Sequence, residues 1–330
     1  MNNKMKKMVV IGGGTGSSIV LRGLKKYANG IELFSIVPMA DTGGSTGRLR
    51  KQYGVLGVGE LRERLIALAS NENANVLSFR FIDGELKGHT CGNIFVATSM
   101  LHYGPEKAIE ILSEMFDVKG KIIPSTYERF DLVAEYENGK IIVGEHEIDE
   151  SKETARITRL YTQPTAKANP KAIESIKNAD VIIFGPGDLY TSILHNIVID
   201  GISQAIMESG AKKIFISNLM TSLGETTGMN LQDLLDELEK FIGAQVIDFI
   251  IFNSETLSAS VVEDYQKSGQ FTIDNFLSDE TLKRVRVVKR DLLAEKAYIK
   301  SKADLLERSV LRHDPDKLAR VIMEVCEVEG

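Results

Sequence analysis

The stretch "GGGTGSS", residues 12–18, combines glycines and hydroxyl side chains directly after a short apolar run. Glycine lets the backbone approach a phosphate closely, and a helix that follows such a turn offers free N–H groups and the positive end of its dipole. The spacing Gly12-x-Gly14-x-x-Ser17 approximates the dinucleotide fingerprint, and no Lys-Ser/Thr pair follows to make a P-loop. The stretch predicts a phosphate site, with a tight turn that binds no ligand as the alternative. The candidate residues are Gly12, Gly13, Gly14, Thr15, Gly16 and Ser17.

A second polar stretch, "ADTGGSTGRLR", follows the next apolar run. Asp41 lies where nucleotide-binding units place an acid that accepts hydrogen bonds from ribose hydroxyls. Gly43, Gly44 and Ser45 could expose backbone amides, and Arg48 could meet phosphate oxygens with a planar group of several donors. We expect a second loop that faces phosphate. The alternative is a mobile surface turn with solvated arginines.

Three further segments, "GHTCGN", "GPGDLYTSILHN" and "SNLMTSLGETTG", carry the remaining polar candidates. His89 could act as acid, base or ligand, but no second histidine or carboxylate stands at metal spacing, so a role in shaping the site is favoured. Asn93 could bind a polar substrate group or satisfy loop backbone. The other two segments place polar side chains after apolar runs, where ordinary turns are the alternative. Their candidates are Gly185, Gly187, Asp188, Tyr190, Thr191, Ser192, Asn218, Thr221 and Glu225.

Strands that alternate with helices would position these segments. Residues 8–11 and 31–40 read as buried strands separated by a helix, and "ADVIIFG", "KKIFISN", "VIDFIIFN" and "RVRVVKR" continue the series. Helices are predicted from about residue 196 to 207, over "NLQDLLDELEKFIG", and at the end of the chain with Asp314 as N-cap. The pattern predicts an α/β fold: a Rossmann-like three-layer domain with a mostly parallel sheet. The polar loops would then share the edge where such sheets bind ligands.

Residues 121–148 break this rhythm with short β patterns around Asn138-Gly139, which is a type I′ hairpin signal. We therefore predict a β-rich insertion at approximately residues 121–165. The chain of 330 residues contains no repeat and no Pro/Ser linker. A single domain spanning residues 1–330 is expected.

The composition limits the possible partners. The 40 basic and 46 acidic residues give a net charge of −6, which is no nucleic-acid footprint. No apolar run has the length of a membrane span, so we expect a soluble, cytoplasmic protein. Cys91 and Cys326 lie far apart with no CxxC or histidine spacing, so neither a disulfide framework nor a zinc site is predicted.

Taken together, "IGGGTGSSIVLRGLK", "ADTGGSTGRLRKQYGVLGVGELRERLIALA", "GHTCGN", "GPGDLYTSILHNIVIDGI", "SNLMTSLGETTG" and "LRHDPDKLA" resemble the gluconeogenesis factor family, also called YvcK-like or UPF0052 proteins. That family is similar in fold to 2-phospho-L-lactate transferase (CofD). The resemblance implies a cytoplasmic protein that binds UDP-sugars such as UDP-N-acetylglucosamine. It also implies a requirement for normal cell shape and cell-wall synthesis on gluconeogenic carbon sources, without a firmly assigned reaction and with no required cofactor.

The resemblance adds two candidate ligand contacts, Tyr265 and Arg312. A tyrosine can stack on a base or sugar, and an arginine can bind a diphosphate with two donors. The alternative is a surface tyrosine and an arginine that supports a helix cap. A homo-oligomer and a protein partner in cell-wall synthesis are further possibilities that the family leaves open.

The chain also departs from the pattern of these relatives. Thr42 follows Asp41 where a second Asp is common, and "GELRE" at residues 59–63 replaces a Gly-Asp-Ile-Arg-Asn pattern. Magnesium prefers clustered carboxylate and water oxygens, so the loss of an acid weakens the case for a magnesium-dependent transferase. That enzyme, using a nucleotide-activated phospholactate-type donor with Asp41 as a metal ligand, is the alternative function. An NAD-dependent protein is a third, resting on the glycine turn alone.

Overall fold

The fold is built on a long parallel sheet and a smaller antiparallel one. The computed structural model describes residues 5–295 and 311–327. The strands are β1 (Lys6–Ile11), β2 (Ile31–Val37), β3 (Lys121–Pro124), β4 (Asp131–Tyr136), β5 (Ile141–Val143), β6 (Ile157–Gln163), β7 (Val181–Phe184), β8 (Lys212–Ile216), β9 (Phe249–Asn253) and β10 (Arg286–Arg290).

The main sheet has seven strands in the order β10-β9-β8-β7-β1-β2-β3. Every neighbouring pair in it is parallel. The chain places β2 and β3 on one side of β1 first, and then β7 to β10 on the other side. The strand order therefore reverses between β1 and β7. A reversal of this kind leaves a crevice beyond the carboxyl ends of the two strands. The predicted α/β class with a mostly parallel sheet is confirmed.

Apolar residues of the central strands face both sides of the sheet. Met8 and Val10 belong to the hydrophobic core on one side, and Val9 and Ile11 to the core on the other; all four are 0% exposed. A strand covered on both faces needs a continuous apolar run, because successive side chains point in opposite directions. This is the pattern that made the strand visible in the sequence.

Helices flank the main sheet. The described residues form the α-helices α1 (Gly14–Leu24), α2 (Gly44–Tyr53), α3 (Val58–Leu68), α4 (Cys91–Tyr103), α5 (Pro105–Met115), α6 (Glu145–Asp149), α7 (Pro170–Lys177), α8 (His195–Ile197), α9 (Ile202–Glu208), α10 (Leu231–Ile242), α11 (Ala259–Lys267), α12 (Asp279–Arg284) and α13 (Pro315–Glu327). Within the described ranges, none combines the length and the apolar character that crossing a membrane requires.

Helix α13 lies directly on α1. A Cβ atom on Gly23 would meet the carbonyl oxygen of Pro315 at 2.1 Å, so the two backbones touch where any larger residue would separate them. The predicted N-cap of α13 is present: Asp314 Oδ1 accepts hydrogen bonds from the backbone N–H groups of Asp316 and Lys317, both at 2.9 Å. The packing brings the residues before α13 close to the loop before α1.

The predicted β-rich insertion contains an antiparallel sheet of order β5-β4-β6. Its predicted start is wrong, because β3 pairs with β2 in the main sheet. The type I′ turn is also wrong. Gly139 has a φ of +82°, but Asn138 is not among the positive-φ residues. The Gly139 N–H bonds the Tyr136 oxygen at 2.9 Å. These features make a type I turn followed by a left-handed glycine, the alternative hairpin connection of three residues.

Two other sequence expectations need correction. The second strand ends at Val37 rather than near residue 40, and residues 44–53 form helix α2 rather than a loop. The helix expected at residues 196–207 is interrupted. The chain first forms one turn of π-helix (Leu189–Leu194), which continues into the short helix α8. Gly201, with a φ of +98°, then separates α8 from α9.

Candidate functional site

A cavity of about 350 Å³ lies beyond the carboxyl ends of β1, β7 and β8, at the reversal of strand order. This is the place where open parallel sheets bind ligands. Loops after all three strands contribute to its walls. The sequence-predicted residues that line it are Gly13, Gly14, Thr15, Gly16, Gly187, Asp188, Ser192, Asn218, Thr221, Tyr265 and Arg312.

The glycine loop after β1 fits tightly against the loop after β7. A Cβ atom on Gly16 would lie 2.3 Å from the carbonyl oxygen of Pro186, and one on Gly13 would lie 3.2 Å from Ser192 Oγ. Both distances are shorter than ordinary van der Waals contact. Glycine is needed here because the two backbones approach each other, which keeps their amides at one wall of the cavity.

The loop after β7 is fixed by side chains from the loop after β8. Asn218 Oδ1 accepts a hydrogen bond from the Gly187 N–H, and Asn218 Nδ2 donates one to the Gly187 oxygen, both at 2.9 Å. Ser222 Oγ donates to Asp188 Oδ1 at 2.6 Å. These contacts orient Asp188 at the cavity wall and hold the Gly187 backbone, so this part of the site is preorganised.

Behind that wall, Glu225 caps the π-helical turn. Its carboxylate accepts hydrogen bonds from the Tyr190 backbone N–H at 2.9 Å and from Thr191 Oγ1 at 2.5 Å. Burial raises the pKa of Glu225 well above its ordinary value, and Asp188 and Asp149 add to the shift. Tyr190, Thr191 and Glu225 were predicted to contact ligand, but they are buried behind the loop and do not line the cavity.

A buried arginine that the sequence analysis missed holds the glycine loop from below. Arg64 is 0% exposed; its Nη2 donates to the Gly12 oxygen at 2.9 Å and to Ser17 Oγ at 2.8 Å, and its Nη1 donates to the Gly14 oxygen at 2.9 Å. Gly12 and Ser17 therefore support the loop and do not line the cavity. The signal available in the sequence was the Glu60–Arg64 spacing of four, which pairs charges on a helix.

Glu60 completes this contact. Both of its carboxylate oxygens accept the Gly14 N–H, at 2.9 and 3.0 Å, and Oε2 also pairs with Arg64 Nη2 at 3.0 Å. Burial raises the pKa of Glu60, whereas Arg64 and the Gly14 N–H oppose the shift. The N-terminal amide of α1, which the sequence assigns to phosphate, is already bonded to a carboxylate of the chain itself.

The second polar stretch lies beside the cavity instead of in its wall. Ser45 Oγ is 2.9 Å from His89 Nδ1, and Asn93 Nδ2 donates to Ser45 Oγ at 3.0 Å. Burial lowers the pKa of His89, helped by nearby Arg48 and Arg80. Arg48 donates to the Lys87 carbonyl from both terminal nitrogens at 3.1 Å. His89 and Arg48 thus connect α2 to the segment before α4.

Asp41 faces the insertion. Its Oδ1 accepts the Gly43 N–H at 2.8 Å, and its pKa and that of Glu145 are raised, in each case chiefly by burial. Thr42 Oγ1 accepts the His146 N–H at 3.0 Å and donates to Glu147 at 3.2 Å. These contacts attach α6 to the start of α2, so the insertion is held against the second polar stretch.

The insertion also supplies one wall of the cavity, which the sequence analysis did not foresee. Asp149, Glu150, Ser151 and Lys152 line it. One ligand atom each from His146, Asp149 and Glu150 lie within 4.8 Å of one another, a spacing that a divalent cation can use. No periodicity or motif in the sequence indicates which part of an insertion folds back over a distant loop.

A further wall of the cavity comes from the segment before α13. The Leu311 N–H donates to the Tyr265 hydroxyl at 2.9 Å, and Leu311, Arg312 and His313 line the cavity with Tyr265. His313 is 4% exposed, and burial lowers its pKa to about 4, so its ring is neutral near pH 7. Its Nε2 has no hydrogen-bond partner. His313 directly follows Arg312 in the motif "LRHDPDKLA", and this adjacency is the signal for it in the sequence.

Several predicted ligand contacts therefore lie outside the cavity wall. Some support the glycine loop or the π-helical turn, and the others belong to the second polar stretch and the segment before α4. They are Gly12, Ser17, Asp41, Gly43, Gly44, Ser45, Arg48, His89, Asn93, Gly185, Tyr190, Thr191 and Glu225.

A parallel sheet whose order reverses beside a glycine loop, with a cavity at that point, defines a Rossmann-like α/β protein. Its sequence matches the model of the family described as "2-phospho-L-lactate transferase CofD" over residues 8–293, and the chain belongs to that family. A protein named "Gluconeogenesis factor" from Halalkalibacterium halodurans is 36% identical over 97% of this chain and 97% of its own length. Another so named, from Listeria innocua, is 37% identical over 83% of this chain and 89% of its own.

The solved structure of a UPF0052 family member from Bacillus halodurans has a TM-score of 0.87 to this chain. It is 34% identical, and the match covers 97% of this chain and 99% of that one. The resemblance stated from the sequence motifs is thereby confirmed, and so is the fold that it implied.

Proposed function

We propose that this chain is a gluconeogenesis factor whose cavity binds a UDP-sugar of the UDP-N-acetylglucosamine type. The carrying observation is the cavity of about 350 Å³ at the reversal of strand order, enclosed by two glycine loops. Its volume falls in the range of about 300–1,000 Å³ that is usual for small-molecule sites. The names of the relatives from Halalkalibacterium halodurans and Listeria innocua support the same assignment.

The chemistry of the walls supports a ligand with three different parts. Arg312 and Lys152 bring positive charge to the cavity, and Gly16 and Gly187 bring backbone close to it, which suits a diphosphate. Carboxylates such as Asp188 accept hydrogen bonds from sugar hydroxyls. The ring of Tyr265 offers a flat face for a base or a sugar.

Isothermal titration with UDP-N-acetylglucosamine tests this assignment. We expect saturable binding that Arg312→Ala weakens about tenfold or more, the loss of one charge-assisted contact. Tyr265→Phe keeps the ring and removes the hydroxyl that bonds Leu311, whereas Tyr265→Ala removes both. If Tyr265→Phe retains binding and Tyr265→Ala loses it, the ring of Tyr265 contributes by stacking on the ligand. The absence of heat at millimolar ligand refutes the proposal.

In the cell, we propose that the liganded protein works in the cytoplasm and adjusts cell-wall synthesis and cell shape to gluconeogenic carbon sources through a protein partner. The expected observation is loss of normal shape on such a carbon source in a strain carrying Arg312→Ala. A strain carrying Gly210→Ala, a change in open space away from the cavity, serves as the control. Light scattering of the purified protein, with and without the UDP-sugar, measures its mass in solution and so tests whether it forms a homo-oligomer. A normal cell shape in the Arg312→Ala strain would mean that the cellular role does not depend on ligand binding through Arg312.

A magnesium-dependent transferase is a second candidate, favoured by the family description "2-phospho-L-lactate transferase CofD". Asp41 does not belong to the group of described residues whose ligand atoms lie close enough together for a divalent cation, which is His146, Asp149 and Glu150. Beside Asp41, Thr42 supplies a hydroxyl in place of a carboxylate. Incubation with a nucleotide-activated donor, an acceptor and magnesium tests it: product that Asp41→Asn abolishes supports the transferase.

A further inference from the structure

His313 is a buried polar residue that lines the cavity. It is 4% exposed, it lies in the wall together with Tyr265 and Arg312, and among the described residues its Nε2 has no hydrogen-bond partner. A buried polar group without a partner is unfavourable, and native proteins contain few of them. One that belongs to a cavity wall points to a ligand that supplies the partner.

The backbone on both sides of His313 is fixed. The Asp314 N–H donates to the Leu292 oxygen at 2.7 Å, and the Leu311 N–H donates to the Tyr265 hydroxyl at 2.9 Å. His313 therefore has a defined place in the part of the wall that it shares with Tyr265. Holding a polar group in place before the ligand arrives reduces the entropy that binding costs.

The state of the ring limits the groups that it can bind. Burial lowers the pKa of His313 to about 4, so the ring is uncharged near pH 7. A neutral imidazole has one N–H donor and one acceptor nitrogen. An anion against the ring would favour the protonated form, which burial opposes, whereas an uncharged polar group can accept from it or donate to it without that conflict. The neighbouring Arg312 keeps its charge and suits phosphate oxygens.

His195 shows that burial alone does not define a ligand-binding histidine. It is 1% exposed, its Nε2 also has no partner among the described residues, and burial lowers its pKa to about 4 as well. Its Nδ1 lies 3.1 Å from the Thr191 oxygen, and its ring packs edge-on against Phe130 with 5.6 Å between the ring centres. Unlike His313, it does not line the cavity. The position in the wall is what distinguishes His313.

We propose that the imidazole of His313 is a ligand-binding group of this cavity, and that it hydrogen-bonds an uncharged polar group of the ligand. In a UDP-sugar, such groups are the edge of the base and the amide and hydroxyls of the sugar. Arg312 and His313, adjacent in the sequence, then divide the ligand between them, one binding phosphate and the other an uncharged part. The inference rests on the proposed UDP-sugar function for its choice of ligands.

The first test is calorimetric titration with UDP-N-acetylglucosamine. His313→Leu removes both ring nitrogens, and we expect about tenfold weaker binding, the loss of one buried hydrogen bond. His313→Gln keeps a donor and an acceptor and should lose less. In urea, His313→Leu should unfold at the wild-type concentration or a higher one, because it removes a buried polar group without a partner. A histidine with only a structural role would lower stability and affinity together.

His195→Leu is the matched control, because it makes the same change at a buried histidine away from the cavity. We expect it to keep the wild-type affinity. Wild-type affinity in His313→Leu overturns the proposal, and so does an equal loss of affinity in His195→Leu.

The second test uses the wild-type chain, so it does not depend on the folding of a variant. We expect UDP-N-acetylglucosamine to shift the imidazole ¹⁵N NMR signals of His313 and to leave those of His195 in place. Uridine and N-acetylglucosamine, titrated separately, identify which part of the ligand causes the shift. If the UDP-sugar binds and the His313 signals do not move, the inference is wrong and the proposed function stands. If the UDP-sugar does not bind, the proposed function is wrong; a His313 shift with uridine or the sugar alone still supports the inference, and no shift with either refutes it too.

Discussion

The contact between the two glycine loops makes a quantitative prediction for Gly16→Ala. The new Cβ atom would lie 2.3 Å from the Pro186 carbonyl oxygen and 2.7 Å from its carbon, where ordinary contact begins at 3.4 Å. The loops must therefore separate by about 1 Å. Overpacking of this kind typically costs about 1–3 kcal/mol. Since both loops line the cavity, we also expect UDP-N-acetylglucosamine to bind at least about tenfold more weakly, a change of about 1.4 kcal/mol.

Urea unfolding and calorimetric titration of the same preparation measure the two effects. Gly210→Ala is the control, because a Cβ atom there meets nothing within 4 Å and the residue has no positive φ. We expect the control to unfold at the same urea concentration as wild type or a slightly higher one, since Ala restricts the unfolded chain more than Gly. Wild-type stability and wild-type affinity in Gly16→Ala would refute the argument that this backbone contact shapes the cavity.

Three further predictions concern the stability of the fold and each involve one residue. Arg64→Met leaves Glu60 and two loop carbonyls without their buried partner, so urea unfolding is expected to show a loss of about 3–5 kcal/mol, against less than about 1 kcal/mol for Lys26→Met at an exposed ion pair. Burial lowers the pKa of His195 to about 4, below the ordinary 6.5. The unfolded chain then takes up a proton first, so acidification from pH 7 to 5 should destabilise wild type by about 2 kcal/mol more than His195→Gln. Equal pH dependence would contradict a neutral buried ring. Asn230→Ala removes the capping box of α10 and should cost about 1 kcal/mol in thermal unfolding, whereas an unchanged melting temperature would show that the cap is not needed.

The fold was accessible from the sequence wherever burial covers both faces of an element. The run at β1 is continuous because all its apolar side chains are buried, and Asp314 caps α13 through local contacts that depend only on nearby residues. Strand β3 was assigned to the insertion because only its pairing with β2 reveals its place in the main sheet. Pairing partners are distant in sequence and leave no local signal, so topology beyond the alternation of elements required the structure.

The site was predictable as a set of loops, but the direction of each side chain was not. Glycine spacing identified the two loops that touch at Gly16 and Pro186, because close backbone approach demands glycine. Arg48 has the chemistry of a phosphate ligand, yet it bonds the Lys87 carbonyl. The Asp149 wall comes from an insertion whose return to the cavity depends on tertiary contacts alone. Residue type gives the chemistry that is available, whereas packing decides which groups face the ligand.

Thr42 is an example of a residue whose role is determined by packing and not by its type alone. From the sequence alone, Thr42 weakens the case for magnesium because it supplies no carboxylate. In the structure, its hydroxyl accepts the His146 N–H and donates to Glu147, beside Glu145. A carboxylate at this position could accept from His146, but it would face two like charges without a proton to donate. A hydroxyl at residue 42 suits both neighbours in α6, because it accepts from the His146 N–H and donates to Glu147. The Thr42 hydroxyl therefore supplies a contact that holds the insertion, and with it the Asp149 wall, against the start of α2.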